Sequence, residues 1–262
     1  MEIWQAIILG AIQGFAEFLP VSSSGHLILM QRWLGVTEGG LFFDVMLHVG
    51  TLIPVFIVFF HQILELFKKP FKKMGLLIIA TIPAGLTGVF LSEHIEGAFY
   101  NGDLLASILL ALTFLLTATE LFFAEQVSKK NKNTLPLSLK SASIMGLAQS
   151  IAIVPGLSRS GTVISSGTFA KLDRNENASF AFLMSIPIIL GAALVSGYKS
   201  VKAGVSVDAL PLVFGVITAA LTGYIAIKTM LTVIKKANYK WFSLYLVIMA
   251  VASVITKIAF GV

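Results

Sequence analysis

Two short polar stretches, each set inside apolar sequence, carry residue types that could bind and transfer a phosphoryl group. The first stretch, EFLPVSSSGH (17–26), holds a carboxylate, a run of serines and a histidine. The second, PGLSRSG (155–161), holds an arginine between two serines. A glycine-containing turn that opens a helix presents backbone N–H groups and a positive dipole end, which bind anions. We call these stretches the first tip and the second tip, and together they predict an anion site if the fold brings them into one pocket.

Glu17 is the candidate functional carboxylate of the first tip. Gln13 and Glu17 are four residues apart, which puts both side chains on one face of a helix that ends before Pro20. A glutamate at a membrane interface is common at helix ends. An ionisable side chain deep in a membrane, however, is usually functional, and sixteen residues precede Glu17.

The histidine and the serines of the first tip are candidate nucleophiles. The unperturbed pKa of a histidine such as His26 lies near neutrality, as proton transfer or attack on phosphorus requires. Ser23 could supply a hydroxyl for the same attack. The simplest alternative is that serines before a helix only cap it. The sequence leaves the nucleophile open between His26, Ser23 and a water molecule.

Arg159 supplies the cation of the second tip. Its planar guanidinium can engage two phosphate oxygens at once. Burying it in a bilayer costs several kcal/mol unless an anion or water meets it, and the alternative is an arginine that reaches to the interface. Its neighbours are small enough to leave room for an anion. The predicted binding residues of the two tips are Ser22, Ser24, Gly25, Ser158, Ser160 and Gly161.

Asp44 and His48 form a weaker candidate pair. They are also four residues apart and lie at one end of an apolar segment. Two roles are open for this pair: they flank the site, or they lie at the membrane interface.

The elements that position the tips must lie in a membrane. Of the 262 residues, 56% are hydrophobic and 12% are charged, with a mean hydropathy of +0.90. Soluble domains carry about twice that share of charge. The net charge of +6 comes from lysines in short loops, which suits lipid headgroups better than nucleic acid. The chain has no cysteine, which excludes thiolate chemistry.

Six apolar segments are long enough to span a bilayer, and two more are broken by the tips. The predicted spans are 42–60, 74–92, 104–123, 179–198, 208–228 and 241–260. Segments 3–30 and 141–170 are apolar at both ends but contain a proline and polar groups in the middle. Such a middle cannot lie against lipid as a continuous helix. We therefore predict two re-entrant hairpins in an all-α polytopic membrane fold.

Charge in the loops predicts the orientation of the spans. Loops 61–73, 124–140, 171–178 and 228–240 are rich in lysine and arginine, and they alternate with acidic or weakly charged loops that include Glu93, Glu96 and Asp103. Basic loops lie on the cytoplasmic side. Both termini are then outside, the first hairpin enters from outside and the second enters from inside.

An internal repeat explains why the two hairpins enter the membrane from opposite sides. Gln13 to Gly25 and Gln149 to Gly161 have the same spacing, at an offset of 136 residues. IPAGLTG (82–88) matches ITAALTG (217–223) at five of seven positions, at an offset of 135 residues. We predict one membrane domain, 1–262, built from an inverted repeat of about 1–123 and 141–260, with the site between the halves.

The two tips resemble the motifs of the undecaprenyl-diphosphate phosphatase family, also called bacitracin-resistance proteins. The resemblance extends over essentially the whole chain. It implies hydrolysis of undecaprenyl diphosphate to undecaprenyl phosphate and phosphate, which recycles the lipid carrier for cell-wall peptidoglycan. By motif position, Glu17, Ser23, His26 and Arg159 match the catalytic residues of the family.

The family also implies a divalent cation, Mg²⁺ or Ca²⁺, with Glu17 and Gln13 as the candidate ligands, since hard cations prefer oxygen. Gln13 departs from the glutamate of many members and removes one charge from that set. The implied partners are the lipid substrate and the bilayer of a bacterial cell membrane, with the site facing outward. A homodimer is left open, and nucleic acid is not expected.

One function from another class fits the same pattern. Inverted repeats with broken segments are also the architecture of secondary transporters. The chain could move a lipid phosphate or another anion with the tips as a binding site. The isoprenoid length and the physiological metal are not encoded in these motifs.

Overall fold

The computed structural model describes residues 1–36, 40–130, 133–203, 208–236 and 238–262, without the side chains of residues 40, 41, 93 and 96. The orientation prediction uses Lys132, in the basic loop 124–140, and the side chains of Glu93 and Glu96, and these lie outside the described part of the structure. The described residues form eleven helices: α1 Ile3–Phe18, α2 Ser23–Trp33, α3 Gly40–Val58, α4 Phe60–Leu66, α5 Lys72–Tyr100, α6 Leu104–Lys130, α7 Leu139–Ile151, α8 Arg159–Phe169, α9 Arg174–Lys202, α10 Ala209–Lys236 and α11 Lys240–Phe260.

The predicted all-α polytopic class is confirmed at the level of helices and candidate spans. Helices α5, α6, α9, α10 and α11 are long and apolar enough to cross a membrane. Helices α3 and α4 meet at 86° and count as a sixth crossing if the pair spans once. The helix ends differ from the predicted spans, because α5 continues to Tyr100 and α9 begins at Arg174. The apolar part of a span is only as long as the hydrocarbon core is thick, whereas the helix itself can continue into the polar residues on either side.

Each polar tip separates two short helices. Helix α1 ends at Phe18, Pro20 follows, and α2 begins after Ser22, whose Oγ accepts a hydrogen bond from the Gly25 N–H at 3.3 Å. In the second pair, α8 begins after Ser158, whose Oγ accepts from the Gly161 N–H at 3.1 Å. These serines satisfy helix N–H groups that would otherwise be buried without a partner.

Glycines hold α1 and α7 close to longer helices. A Cβ atom on Gly10 would lie 2.3 Å from the carbonyl oxygen of Gly215 in α10. A Cβ on Gly146 would lie 2.6 Å from the carbonyl oxygen of Ala80 in α5. Small residues let backbones approach in this way, and close packing fixes the position of a helix along its neighbour. The side chains of α1 and α7 that point to the tips are therefore held on rigid supports.

Candidate active site

The two tips are in direct contact at the centre of the fold. A Cβ on Gly25 would lie 3.0 Å from Cα of Gly156, and a Cβ on Gly161 would lie 3.3 Å from Cβ of Pro20. Gly156 also has a φ of +88°, which favours glycine. The small tip residues thus allow two breaks that lie far apart in the sequence to share one pocket.

Glu17 lies at the centre of this contact. Its residue is 4% exposed, and its carboxylate is fully engaged. Oε2 accepts hydrogen bonds from Ser23 Oγ at 2.7 Å and from Gln13 Nε2 at 3.0 Å. Oε1 pairs with Nη2 of Arg159. A buried carboxylate with an ion-pair partner and two hydrogen-bond donors is stable in its charged form.

Arg159 joins the second tip to the first. Its side chain is 20% exposed, and its ion pair with Glu17 connects residues 142 positions apart. A guanidinium has five N–H donors in a planar fork. Contact with one carboxylate oxygen leaves donors of Arg159 available to a ligand.

A cavity of about 220 Å³ lies beside the ion pair. Six of the predicted site residues line it: Glu17, Ser23, Ser24, Ser158, Arg159 and Ser160. The remaining wall is mostly apolar and includes Ile153, Ile188 and Ile189. The cavity therefore joins a small charged floor to an apolar wall, as an amphipathic ligand requires.

Helix ends add to the positive potential at the cavity. Helix α2 begins at Ser23 and α8 begins at Arg159, and both residues are part of the lining. The N-terminal end of a helix behaves as a partial positive charge of roughly +0.5. Two such ends and one guanidinium face a single carboxylate, so the site favours an incoming anion.

Comparison with known proteins identifies the family. The sequence model described as "Bacitracin resistance protein BacA" matches residues 6–252. The chain belongs to this family. It is 40% identical to an "Undecaprenyl-diphosphatase" of Carboxydothermus hydrogenoformans over 99% of both chains. It is 41% identical to a protein of the same name from Thermodesulfovibrio yellowstonii, over 92% of this chain and 94% of the relative.

Not every residue that matches the BacA family motifs faces the cavity. Gln13, Ser22, Gly25 and Gly161 lie outside its lining and support the tips instead. His26 also lies outside the lining. Its Nδ1 is 2.8 Å from the Ser22 carbonyl oxygen, and its Nε2 is 2.7 Å from the hydroxyl of Tyr245 in α11. Both ring nitrogens are occupied, so the structure places Ser23, and not His26, at the cavity.

His48 lies at the site, although its position in the sequence does not assign it a role there. Its Nε2 lies 3.3 Å from Oε2 of Glu17, and its Nδ1 lies 2.8 Å from the carbonyl oxygen of Asp44. The four-residue spacing of Asp44 and His48 is the one sequence signal for this pair, and it does not distinguish the site from the membrane interface. The Asp44 carboxylate itself accepts from Gln31 Nε2 at 2.6 Å and does not line the cavity.

Gln149 is a second residue that sequence reasoning did not assign to the site. It lines the same cavity from the last turn of α7 and is 1% exposed. The repeat singled it out as the counterpart of Gln13, but the repeat alone did not give it a chemical role.

Proposed function

We propose that the protein is a membrane phosphatase that hydrolyses undecaprenyl diphosphate to undecaprenyl phosphate and inorganic phosphate. The observation that supports this best is the cluster of buried Glu17 with half-buried Ser23 and Arg159 beside one cavity. Membership of the BacA family and the names of the relatives support the same substrate. The reaction recycles the lipid carrier of cell-wall synthesis, and the family description links it to bacitracin resistance.

The proposal includes two re-entrant hairpins related by an inverted repeat. Matching packing supports the repeat: Gly10 meets Gly215, and the residues at the matching offsets, Gly146 and Ala80, meet in the same way. The tip contacts have the same reciprocity, with Gly25 against Gly156 and Gly161 against Pro20. The lysine-rich loops support an orientation in which the cavity opens toward the outer side.

Substrate binding begins with an exchange of partners at Arg159. Before the lipid arrives, the guanidinium is paired with Glu17. A diphosphate offers more negative charge than one carboxylate and can accept a bidentate pair of hydrogen bonds from the fork. Arg159 then moves its donors to the phosphate, and the isoprenoid tail lies along the apolar wall at Ile153, Ile188 and Ile189.

The same exchange prepares the nucleophile. The Ser23 hydroxyl already donates to Glu17 at 2.7 Å. Once Arg159 turns to the phosphate, Glu17 is the stronger proton acceptor. Ser23 Oγ attacks the terminal phosphorus, its proton passes to Glu17, and the bond from phosphorus to the bridging oxygen breaks to release undecaprenyl phosphate. Water then attacks the phosphorus of the phosphoserine, the bond from phosphorus to Ser23 Oγ breaks, Glu17 returns the proton to that oxygen, and inorganic phosphate leaves.

A divalent cation fits this site as a partner of the substrate. Within the described residues, no group of three or more His, Cys, Asp or Glu side chains could hold a metal ion. The buried Oε1 of Gln13, however, has no hydrogen-bond partner, and oxygens of this kind suit Mg²⁺ or Ca²⁺. Glu17 and Gln13 would hold the cation, which would supply positive charge to offset the charge of the transferred group.

Phosphate release by the purified protein in detergent tests the proposed function. The protein should release inorganic phosphate from undecaprenyl diphosphate, and Ser23→Ala should lose at least about 10⁴-fold in rate, as removal of a nucleophile does. Acid quenching during turnover should trap a phosphoryl group on Ser23, mapped by mass spectrometry. Phosphate release without any trapped serine, and with Ser23→Ala active, would replace Ser23 by His26 or water as the nucleophile. No release at all would refute the phosphatase.

A further inference from the structure

Gln149 is the most deeply buried unsatisfied polar side chain at the cavity. Its Nε2 and its Oε1 both lack a hydrogen-bond partner among the described residues, although the residue is 1% exposed. Buried amides in native proteins are nearly always paired, so an unpaired one requires an explanation. Because Gln149 is part of the cavity lining, a ligand in the cavity can supply the missing partner.

The comparison with Gln13 shows that this amide is not held by a neighbour. Gln13 donates its Nε2 to Glu17, one helical turn further along α1. One turn after Gln149 stands Ile153, which also lines the cavity and cannot accept a hydrogen bond. The second half of the chain has the amide without the carboxylate.

The position of Gln149 is fixed by packing. It lies three residues after Gly146, where α7 is in close backbone contact with Ala80 of α5. A donor on such a rigid support loses little freedom when a ligand binds, which is how preorganised sites gain affinity. Ser158, Arg159 and Ser160 line the same cavity, so the amide is among the polar groups that would surround a phosphate.

We propose that Gln149 is a substrate-binding residue whose Nε2–H group donates to an oxygen of the terminal phosphate of the lipid diphosphate. This inference rests on the proposed function and adds one residue to it. Arg159 provides the charge, and Gln149 provides a neutral donor from another helix, so the phosphoryl group is held from two sides. The amide satisfies its hydrogen-bonding capacity only when substrate is present.

The test replaces the amide by an apolar side chain of similar length. Gln149→Met should lower kcat/KM for farnesyl diphosphate, used as a short-chain probe with purified protein in detergent, by about 10- to 100-fold. Its melting temperature without ligand should equal or exceed that of the parent, because an unpaired buried amide is replaced by an apolar group. Stabilisation of the parent by inorganic pyrophosphate in a thermal shift assay should be reduced in the variant.

Ser165→Ala is the matched control. The Ser165 hydroxyl is as buried as Gln149 and also lacks a partner among the described residues, but it does not line the cavity. Its removal should leave kcat/KM within about twofold of the parent. If Gln149→Met fails to fold, Gln149→Asn takes its place, since it keeps the amide but withdraws it from the phosphate and should give a loss of about tenfold.

Two results would overturn this inference while leaving the phosphatase standing. One is a Gln149→Met protein with the kcat/KM and pyrophosphate response of the parent. The other is a variant that loses activity together with melting temperature but keeps its pyrophosphate response, which would make Gln149 structural. A parent protein that releases no phosphate from undecaprenyl diphosphate would instead refute the proposed function itself.

Discussion

The two tips share a scaffold but differ in chemistry. Residues at the offset of 136 have the same architectural roles: Ser22 and Ser158 cap the following helices, and Gly25 and Gly161 allow the tips to touch. At positions that line the cavity the two halves differ. Glu17 in the first half corresponds to Ile153 in the second, and Ser23 corresponds to Arg159.

Because the halves differ at these positions, the two tips can form a single site. A pair of identical tips would bring two carboxylates or two guanidiniums together, and like charges in a buried place repel strongly. With one carboxylate and one guanidinium, the charges of the two tips neutralise each other, and each tip can take a different role. In the proposed mechanism, the first tip carries out the chemistry on phosphorus, and the second tip binds the negative charge of the phosphate.

Removal of the cation from the second tip should have the largest effect in this comparison. Arg159→Ala should lower kcat/KM on the order of 10³-fold, because it removes a preorganised charge on the transferred phosphate. Arg159→Lys should recover only part of the loss, since an ammonium lacks the planar fork. Steady-state phosphate release measures both. Near-normal turnover of the alanine variant would show that Arg159 does not bind the phosphate.

Removal of the carboxylate from the first tip should have the next largest effect. Glu17→Gln keeps the shape but removes the proton acceptor for Ser23, which should lower kcat about 10²-fold. It should also weaken the dependence of the rate on Mg²⁺ or Ca²⁺, measured by titration after chelation. An unchanged metal response would mean that Glu17 is not the cation ligand. A kcat close to that of the parent would remove Glu17 as the base.

Much of this arrangement could be predicted from the sequence, because breaks in apolar segments are local signals. Pro20 and the serine–glycine tips end helices by their own chemistry, and an arginine inside apolar sequence, such as Arg159, requires an anion such as Glu17. The position of His26 could not be predicted, since its partner Tyr245 lies 219 residues away. The same holds for His48, which reaches Glu17 only through the packing of α3 against α1.

Introducing a carboxylate into the second half, at the position that corresponds to Glu17, should have a smaller effect. Ile153→Glu would place a second acid at the cavity, where it would compete with the diphosphate for Arg159. We expect an increase in KM of about tenfold, in line with a partly desolvated like-charge contact. Ile153→Gln is the control of similar size and should stay within about threefold of the parent. Equal KM values for the two variants would show that the asymmetry of charge does not matter.

The smallest effect is expected where the two tips are anchored to other helices outside the cavity lining. His26 and Thr162 are at matching positions: His26 bonds Tyr245 in α11, and Thr162 donates to Glu120 in α6 at 2.7 Å. Tyr245→Phe removes one hydrogen bond and should cost about 1 kcal/mol of stability, seen in thermal unfolding. Its kcat should stay within about threefold of the parent if His26 only supports the first tip. A change in kcat of tenfold or more without loss of stability would return His26 to the reaction, because only a reacting imidazole would respond so strongly to the loss of its partner.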